Sequence, residues 1–250
     1  MNVDFLGIGW DVGGWSGSKQ AVAIVGWSEG DSELNWFGVS PPFSLSRRRP
    51  LSLESLLAPA LQGQSCLPNC QRQAIAIDTS LAFPRAFCQL LQGQGGQQSM
   101  VPAAEIDNPL AYRDCERWLY REYGKKPLSA SFDKLGNNSS LALSLLPALR
   151  AQGYRLVPQQ QGDATLAIIE GYPALLKQGF RANQPVRPAL ASRLPPAVQP
   201  GEDRYDAALC ALMALGFASQ NRCPLLPALI APPPAMKPDE GWIYHFAPES

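Results

Sequence analysis

Phe5-Leu6-Gly7-Ile8-Gly9-Trp10-Asp11-Val12-Gly13-Gly14 is the stretch whose reading decides the fold. Its apolar run, Phe5 to Trp10, stops on a carboxylate and passes straight into a glycine turn, the pattern of a buried strand with an acid at its carboxyl end. Two later runs stop the same way. Ala74 to Ile77 meets Asp78 and Thr79-Ser80, and Leu166 to Ile169 meets Glu170 and Gly171. Ligands of open sheets gather beyond the carboxyl ends of the strands, so three such strands lying parallel and adjacent would bring their acids to one region. Converging carboxylates repel one another at low dielectric, and each resists losing its hydration. A bound cation removes both penalties. With His245 the only histidine, oxygen ligands favour Mg2+ or Mn2+ over zinc.

Outward from these runs the chain reads as one α/β domain over residues 1–250. Ala21 to Trp27 and Trp36 to Val39 join the first run in a three-stranded meander, with turns at Val12-Gly13-Gly14 and Ser28-Glu29-Gly30-Asp31. A polar loop with Arg47-Arg48-Arg49 leads to a helix over Ser52 to Leu61, where Leu53, Leu56, Leu57 and Leu61 fall near helical spacing. A helical insertion covers about 108–150, with Asn108 as its cap and Gly124 and Gly136-Asn137-Asn138 as interruptions. Recurrent prolines make Asn183 to Pro200 a surface loop. A strongly apolar helix then runs from Asp203 to Ala218, and a Pro-rich tail, about 224–250, lies extended over the domain.

That late helix supplies the fourth acid. Beyond Tyr205 it is apolar on every face and therefore buried nearly all round, which makes Asp206 costly unless it has a partner. A metal shared with the strand-end acids would be one. Asp203, three residues earlier, lies on a neighbouring part of the same face; it also reads as an N-cap. Asp11 and Asp78 each read equally as turn-forming residues after a strand. Glu170 lacks that local explanation, although an arginine could pair with it.

Composition narrows the function classes. Apolar residues at 46% and charged residues at 17% of 250 describe a folded domain rather than a disordered chain. Twenty-one basic and twenty-one acidic side chains cancel, so no global field draws the protein onto a polyanion and any nucleic-acid contact is local. The start, Met1 to Asp11, lacks the features of a signal peptide, and no apolar run reaches membrane-spanning length. Six scattered cysteines read as reduced thiols, including the pair in Cys66-Leu67-Pro68-Asn69-Cys70. These features predict a cytoplasmic protein.

The ordered set Gly7 to Gly14, Ala76 to Pro84, Glu170 to Ala174 and Asp203 to Ala211 resembles an uncharacterised family of predicted RNase H-like nucleases. The likeness extends to Arg113, Cys115 and Glu116 and to the closing Glu240-Gly241-Trp242-Ile243. It implies an RNase H-like mixed five-stranded sheet flanked by helices, with strand order 3-2-1-4-5 and strand 2 antiparallel. It also implies that Asp11, Asp78, Glu170 and Asp206 are catalytic metal ligands, with Asp203 a further metal-site acid. Two Mg2+ or Mn2+ ions would then flank a phosphodiester of RNA or structured DNA, with Asp11 bridging them. Lys19, Arg113, Arg117 and Lys134 are the candidates to hold the substrate backbone, and Trp15 or Tyr172 to stack on a base. Two other readings stay open. Asp11 to Lys19 is similar to the phosphate-binding hairpin of sugar kinase and actin-type ATPases, and the fold could serve as a non-catalytic binding module.

Overall fold

The computed structural model describes residues 2–16, 19–48, 50–64, 66–94, 101–133, 135–160, 162–181 and 183–247. Its centre is a mixed sheet. β1 (Phe5–Asp11) pairs antiparallel with β2 (Ala21–Trp27), which pairs antiparallel with β3 (Asn35–Val39). On its other edge β1 pairs parallel with β4 (Arg72–Asp78), and β4 pairs parallel with β6 (Leu166–Gly171). Two short strands, β5 (Arg155–Leu156) and β7 (Ile243–Tyr244), both pair parallel with β6.

The sheet therefore has seven strands rather than five, in the order β3-β2-β1-β4-β6-β5 with β7 beside β6. The meander, the antiparallel second strand and the parallel neighbour of β1 agree with expectation. The strand next to β4 is the sixth in the chain because a two-residue strand precedes it, and runs that short carry no periodicity to read.

α6 (Asp203–Ala218) lies on one face of the sheet, across β1, β2 and β4. On the other face lie α1 (Leu53–Leu61) and α4 (Leu135–Ala151), whose Leu56, Leu57, Leu141, Leu145 and Leu149 cluster with Leu6, Ile8 and Trp10 of β1. α1 begins at a reciprocal cap: the Ser52 hydroxyl accepts the Ser55 amide, and the Ser55 hydroxyl accepts the Ser52 amide, both at 3.1 Å. The insertion is two helices, α3 (Asp114–Tyr123) and α4, with α2 (Arg85–Leu91) ahead of them. Asn108 does not cap a long helix. Its side chain accepts the Leu110 amide in a local turn, and α3 starts at Asp114.

Side chains alternate across a strand, so the small residues of β1 decide how α6 sits. Gly7, Gly9 and Asp11 face α6, whereas Leu6, Ile8 and Trp10 face α1 and α4. A Cβ on Gly9 would stand 2.0 Å from the Ala207 carbonyl oxygen, and one on Gly7 2.3 Å from that of Ala211. The helix backbone rests directly on the strand. α6 is buried from Ala207 to Gly216, covered on its outer side by residues such as Leu175, Leu176, Val186, Trp242 and Phe246. The Pro-rich loop contains one short helix, α5 (Pro188–Ala191), and the tail is anchored through β7 with Trp242 and Phe246 buried. Among the described residues no helix is long and apolar enough to cross a membrane.

Candidate active site

β1 and β4 run parallel in a register that sets Asp11 directly beside Asp78. Both carboxylates are half-buried at the strand ends, on the α6 side, and open into a cleft of about 180 Å³. Among the described residues neither side chain has a hydrogen-bond or ion-pair partner. Burial is the main cause that pushes the Asp78 carboxyl up to about 8; Asp206 and Glu170 add to it and Lys177 opposes. Asp11 is likewise held well above the ordinary carboxylate range, first by burial and then by Asp78, Asp206 and Asp203. The convergence expected for these acids is present.

Asp206 comes to the same place from the first turn of α6, but with its own cation. The Lys177 ammonium lies 2.5 Å from Asp206 Oδ1, and the lysine side chain is 1% exposed. Burial raises the Asp206 carboxyl, while Lys177 acts to lower it. Asp203, half-buried one turn earlier, is the first residue of α6 rather than its cap, which is Glu202. Sequence reasoning missed Lys177. The signal was available: a lysine closing the apolar run Pro173-Ala174-Leu175-Leu176, seven residues past a strand-end acid.

Glu170 lines the same cleft as Asp11 and Asp78 and helps to raise the Asp78 carboxyl, but it reaches the cleft from a different register position. It stands opposite Ile77, one position short of Asp78, so its side chain leaves the other face of the sheet and Gly171 takes the α6 side. There it meets Arg113, fully buried at the start of α3. The two guanidinium nitrogens bond both Glu170 oxygens at 2.8 and 2.5 Å, and the Leu81 amide adds a third bond at 2.9 Å. Arg113 also reaches Glu116 Oε1 at 2.9 Å, Ser80 Oγ at 3.1 Å and the Glu240 carbonyl at 3.2 Å. Burial raises Glu170, and Arg113 opposes it. Burial and the internal bonds of both terminal nitrogens argue against the role foreseen for Arg113, holding substrate; its buried Nε has no hydrogen-bond partner among the described residues. Arg113 ties β6, α3 and the segment after β4 together.

The other expected cations are elsewhere. Arg117 is held in the first turn of α3 by Asp114 Oδ1 at 2.5 Å and the Tyr112 carbonyl at 2.7 Å. Lys19 is exposed on the β1–β2 hairpin. Lys134 and Arg49 lie outside the described residues, as do residues 17 and 18. None of the described three lines the cleft. Thr79, Ser80, Glu116 and Tyr172 do, with an apolar wall of Pro127, Leu128, Leu135 and Ile243. Tyr172 lines the cleft, whereas Trp15 lies outside it, 52% exposed with its indole donating to Ser140 Oγ at 3.0 Å.

Comparison with protein-family models, curated proteins and solved structures finds no match. The site must be read from its own chemistry. Among the described residues no three acidic, thiol or imidazole groups stand ready as a metal cage. Two hard, unpaired carboxylates at an open cleft do fit a hydrated divalent cation, because Mg2+ keeps several waters and takes only one or two carboxylates from its protein. The hairpin suits phosphate poorly. Buried Gln20 accepts the Gly13 amide at 3.2 Å and the Trp10 indole at 3.0 Å, and the Trp15 amide is turned to Asn137 Oδ1 at 3.5 Å, so two amides of an anion cradle already have partners.

Proposed function

We propose that this chain is an RNase H-like hydrolase that cleaves phosphodiester bonds of nucleic acid with a divalent cation, Mg2+ or Mn2+, held by Asp11 and Asp78. The observation that carries the reading is that pair: adjacent carboxylates at the ends of parallel strands, open to a cleft and, among the described residues, with no hydrogen-bond or ion-pair partner of their own. The sheet order and the acid-bearing helix laid across β1 support it. Such a cation would polarise a phosphoryl oxygen and lower the pKa of a bound water.

The protein's own contribution is placement. Asp11 and Asp78 are fixed side by side by the β1–β4 register, and Asp206 extends the negative wall from α6. The apolar wall of Pro127, Leu128 and Leu135 limits water around the reacting phosphate, which strengthens every charge interaction there. The cleft, about 180 Å³, is smaller than the roughly 300 to 1,000 Å³ of many ligand sites. A single-stranded or displaced segment of RNA or structured DNA suits it better than an intact duplex.

The test is cleavage of labelled RNA and structured DNA with Mg2+ or Mn2+. Wild-type protein should cut, and Asp78→Asn should lose at least about 100-fold in rate, as expected when a group that stabilises the transition state is removed. Absence of cation-dependent cleavage by the wild type, or undiminished cleavage by the variant, would overturn the assignment. Cation binding without turnover would indicate a binding module.

A further inference from the structure

A two-ion site would need Asp206 as a ligand to one of its metals. In this chain the Asp206 position is already served. The Lys177 ammonium stands 2.5 Å from Asp206 Oδ1, closer than an ordinary surface ion pair requires, and the side chain that carries it is buried. We infer that the site takes one divalent cation, on Asp11 and Asp78, and that Lys177 supplies the positive charge a second metal ion would otherwise bring to Asp206. This rests on the reading that Asp11 and Asp78 hold a metal.

The fold keeps Lys177 in that place. It sits between two 3-10 turns, Pro173–Leu176 and Gln178–Phe180, and bridges to Val186. The bridged segment is anchored on both sides of it: the Gln178 amide donates to the Pro185 carbonyl at 3.0 Å, and the Arg187 amide to the Leu176 carbonyl at 3.1 Å. Val186 in turn donates to the Tyr205 hydroxyl at 2.7 Å, which ties the whole segment to the first turn of α6. The ammonium also lies 5.8 Å from the centre of the Tyr205 ring. A lysine held by its backbone, with its stem buried, cannot swing into solvent to make way for an ion.

Charge gives the same result. Asp11, Asp78, Asp203 and Asp206 carry four negative charges when ionised, and Lys177 removes one of them. One divalent cation brings the cluster close to neutrality. A second would have to approach an Asp206 already ion-paired at Oδ1 and a fixed ammonium beside it, and like charges at short range in a half-buried site repel strongly.

Mn2+ binding to the full chain, followed by the electron paramagnetic resonance of free Mn2+, tests the inference without reference to turnover. Wild type should bind one ion. Lys177→Met, which uncovers Asp206, should bind two. Asp206→Asn should still bind one ion, more weakly because the Lys177 ammonium, its charge no longer offset by Asp206, acts on Asp11 and Asp78, while the count of ions is unchanged. Two ions in wild type would overturn the inference and leave the hydrolase reading standing, whereas no ion in wild type would overturn both. A folded Lys177→Met that still binds a single ion would also overturn it. Should that variant not fold, the number of ions bound by wild type decides alone: one upholds the inference and two overturn it.

Discussion

Glu170 and Gly171 show how much depends on a single position along a strand. The acid that ends the third apolar run misses the α6 face by one residue, and the period of two sends it to the opposite side of the sheet. Arg113 answers it there, and the result is a buried network in which one guanidinium serves Glu170, Glu116 and Ser80. Removing the arginine would strand two buried carboxylates. Arg113→Leu should therefore cost about 3 to 5 kcal/mol, the usual penalty for breaking a buried ion pair from one side. Arg113→Lys should recover little of that, since an ammonium cannot bond two carboxylates in the forked geometry of a guanidinium. Urea unfolding of the three proteins checks both expectations; a loss below 1 kcal/mol for Arg113→Leu would mean that the network does not hold the fold.

At the scale of elements, the contact between β1 and α6 governs the site. Gly7 and Gly9 let the backbone of α6 touch the strand, and that closeness is what brings Asp206 and Asp203 within electrostatic reach of Asp11. The neighbour each glycine would strike is helix backbone rather than a movable side chain, so a methyl group cannot be accommodated by a rotamer change. Gly9→Ala should destabilise the protein by about 1 to 3 kcal/mol or more, the range for overpacking a filled core. It should also weaken Mn2+ binding by tilting the strand end that carries Asp11. Gly63→Ala is the informative contrast on binding. That glycine meets nothing within 4 Å and lies far from the carboxylates in the chain, though its positive φ adds a local strain of its own. Thermal unfolding and Mn2+ titration of both variants distinguish the cases: equal Mn2+ affinity in Gly9→Ala and wild type would remove the link between helix seating and the site.

Across the whole molecule, the site is a place where folding works against its own electrostatics. Asp78 has its carboxyl pushed up to about 8 in the folded state, far above the roughly 3.9 of an unfolded chain. Between those values the native protein keeps a proton that the unfolded chain releases, so this group's contribution to stability falls as pH rises through the window and levels off above about 8. Two results follow. Metal-free Asp78→Asn should be more stable than metal-free wild type at pH 8, with the gap closing toward pH 4. Saturating Mg2+ should stabilise wild type more at pH 8 than at pH 5.5, because a ligand that binds only the native state adds stability and the cation must displace that proton. Melting temperatures at the three pH values, with and without Mg2+, are the measurement. A gap between the two proteins that does not vary with pH would show that Asp78 is not protonated in the native state.

The same division separates what could be read in the chain from what could not. Phe5 to Trp10, Ala21 to Trp27, Leu53 to Leu61 and Asp203 to Ala218 announce their elements by apolar runs, helical spacing and caps, because burial of local surface is recorded in local pattern. Asp11, Asp78 and Asp206 could be chosen as a set for that reason, each being an acid where an apolar element ends or is buried. Which acids share a face could not be read, since it depends on the β4–β6 register, and register belongs to pairs of strands rather than to either one. Nor could the partners of the charges, Lys177 for Asp206 and Arg113 for Glu170, which lie 29 and 57 residues away from them along the chain. Sequence alone determined the elements and the acids at their ends. Only the tertiary structure decided which of those acids keep company with one another and which with a cation of the protein's own, because Coulomb interactions follow distance in space and not separation along the chain.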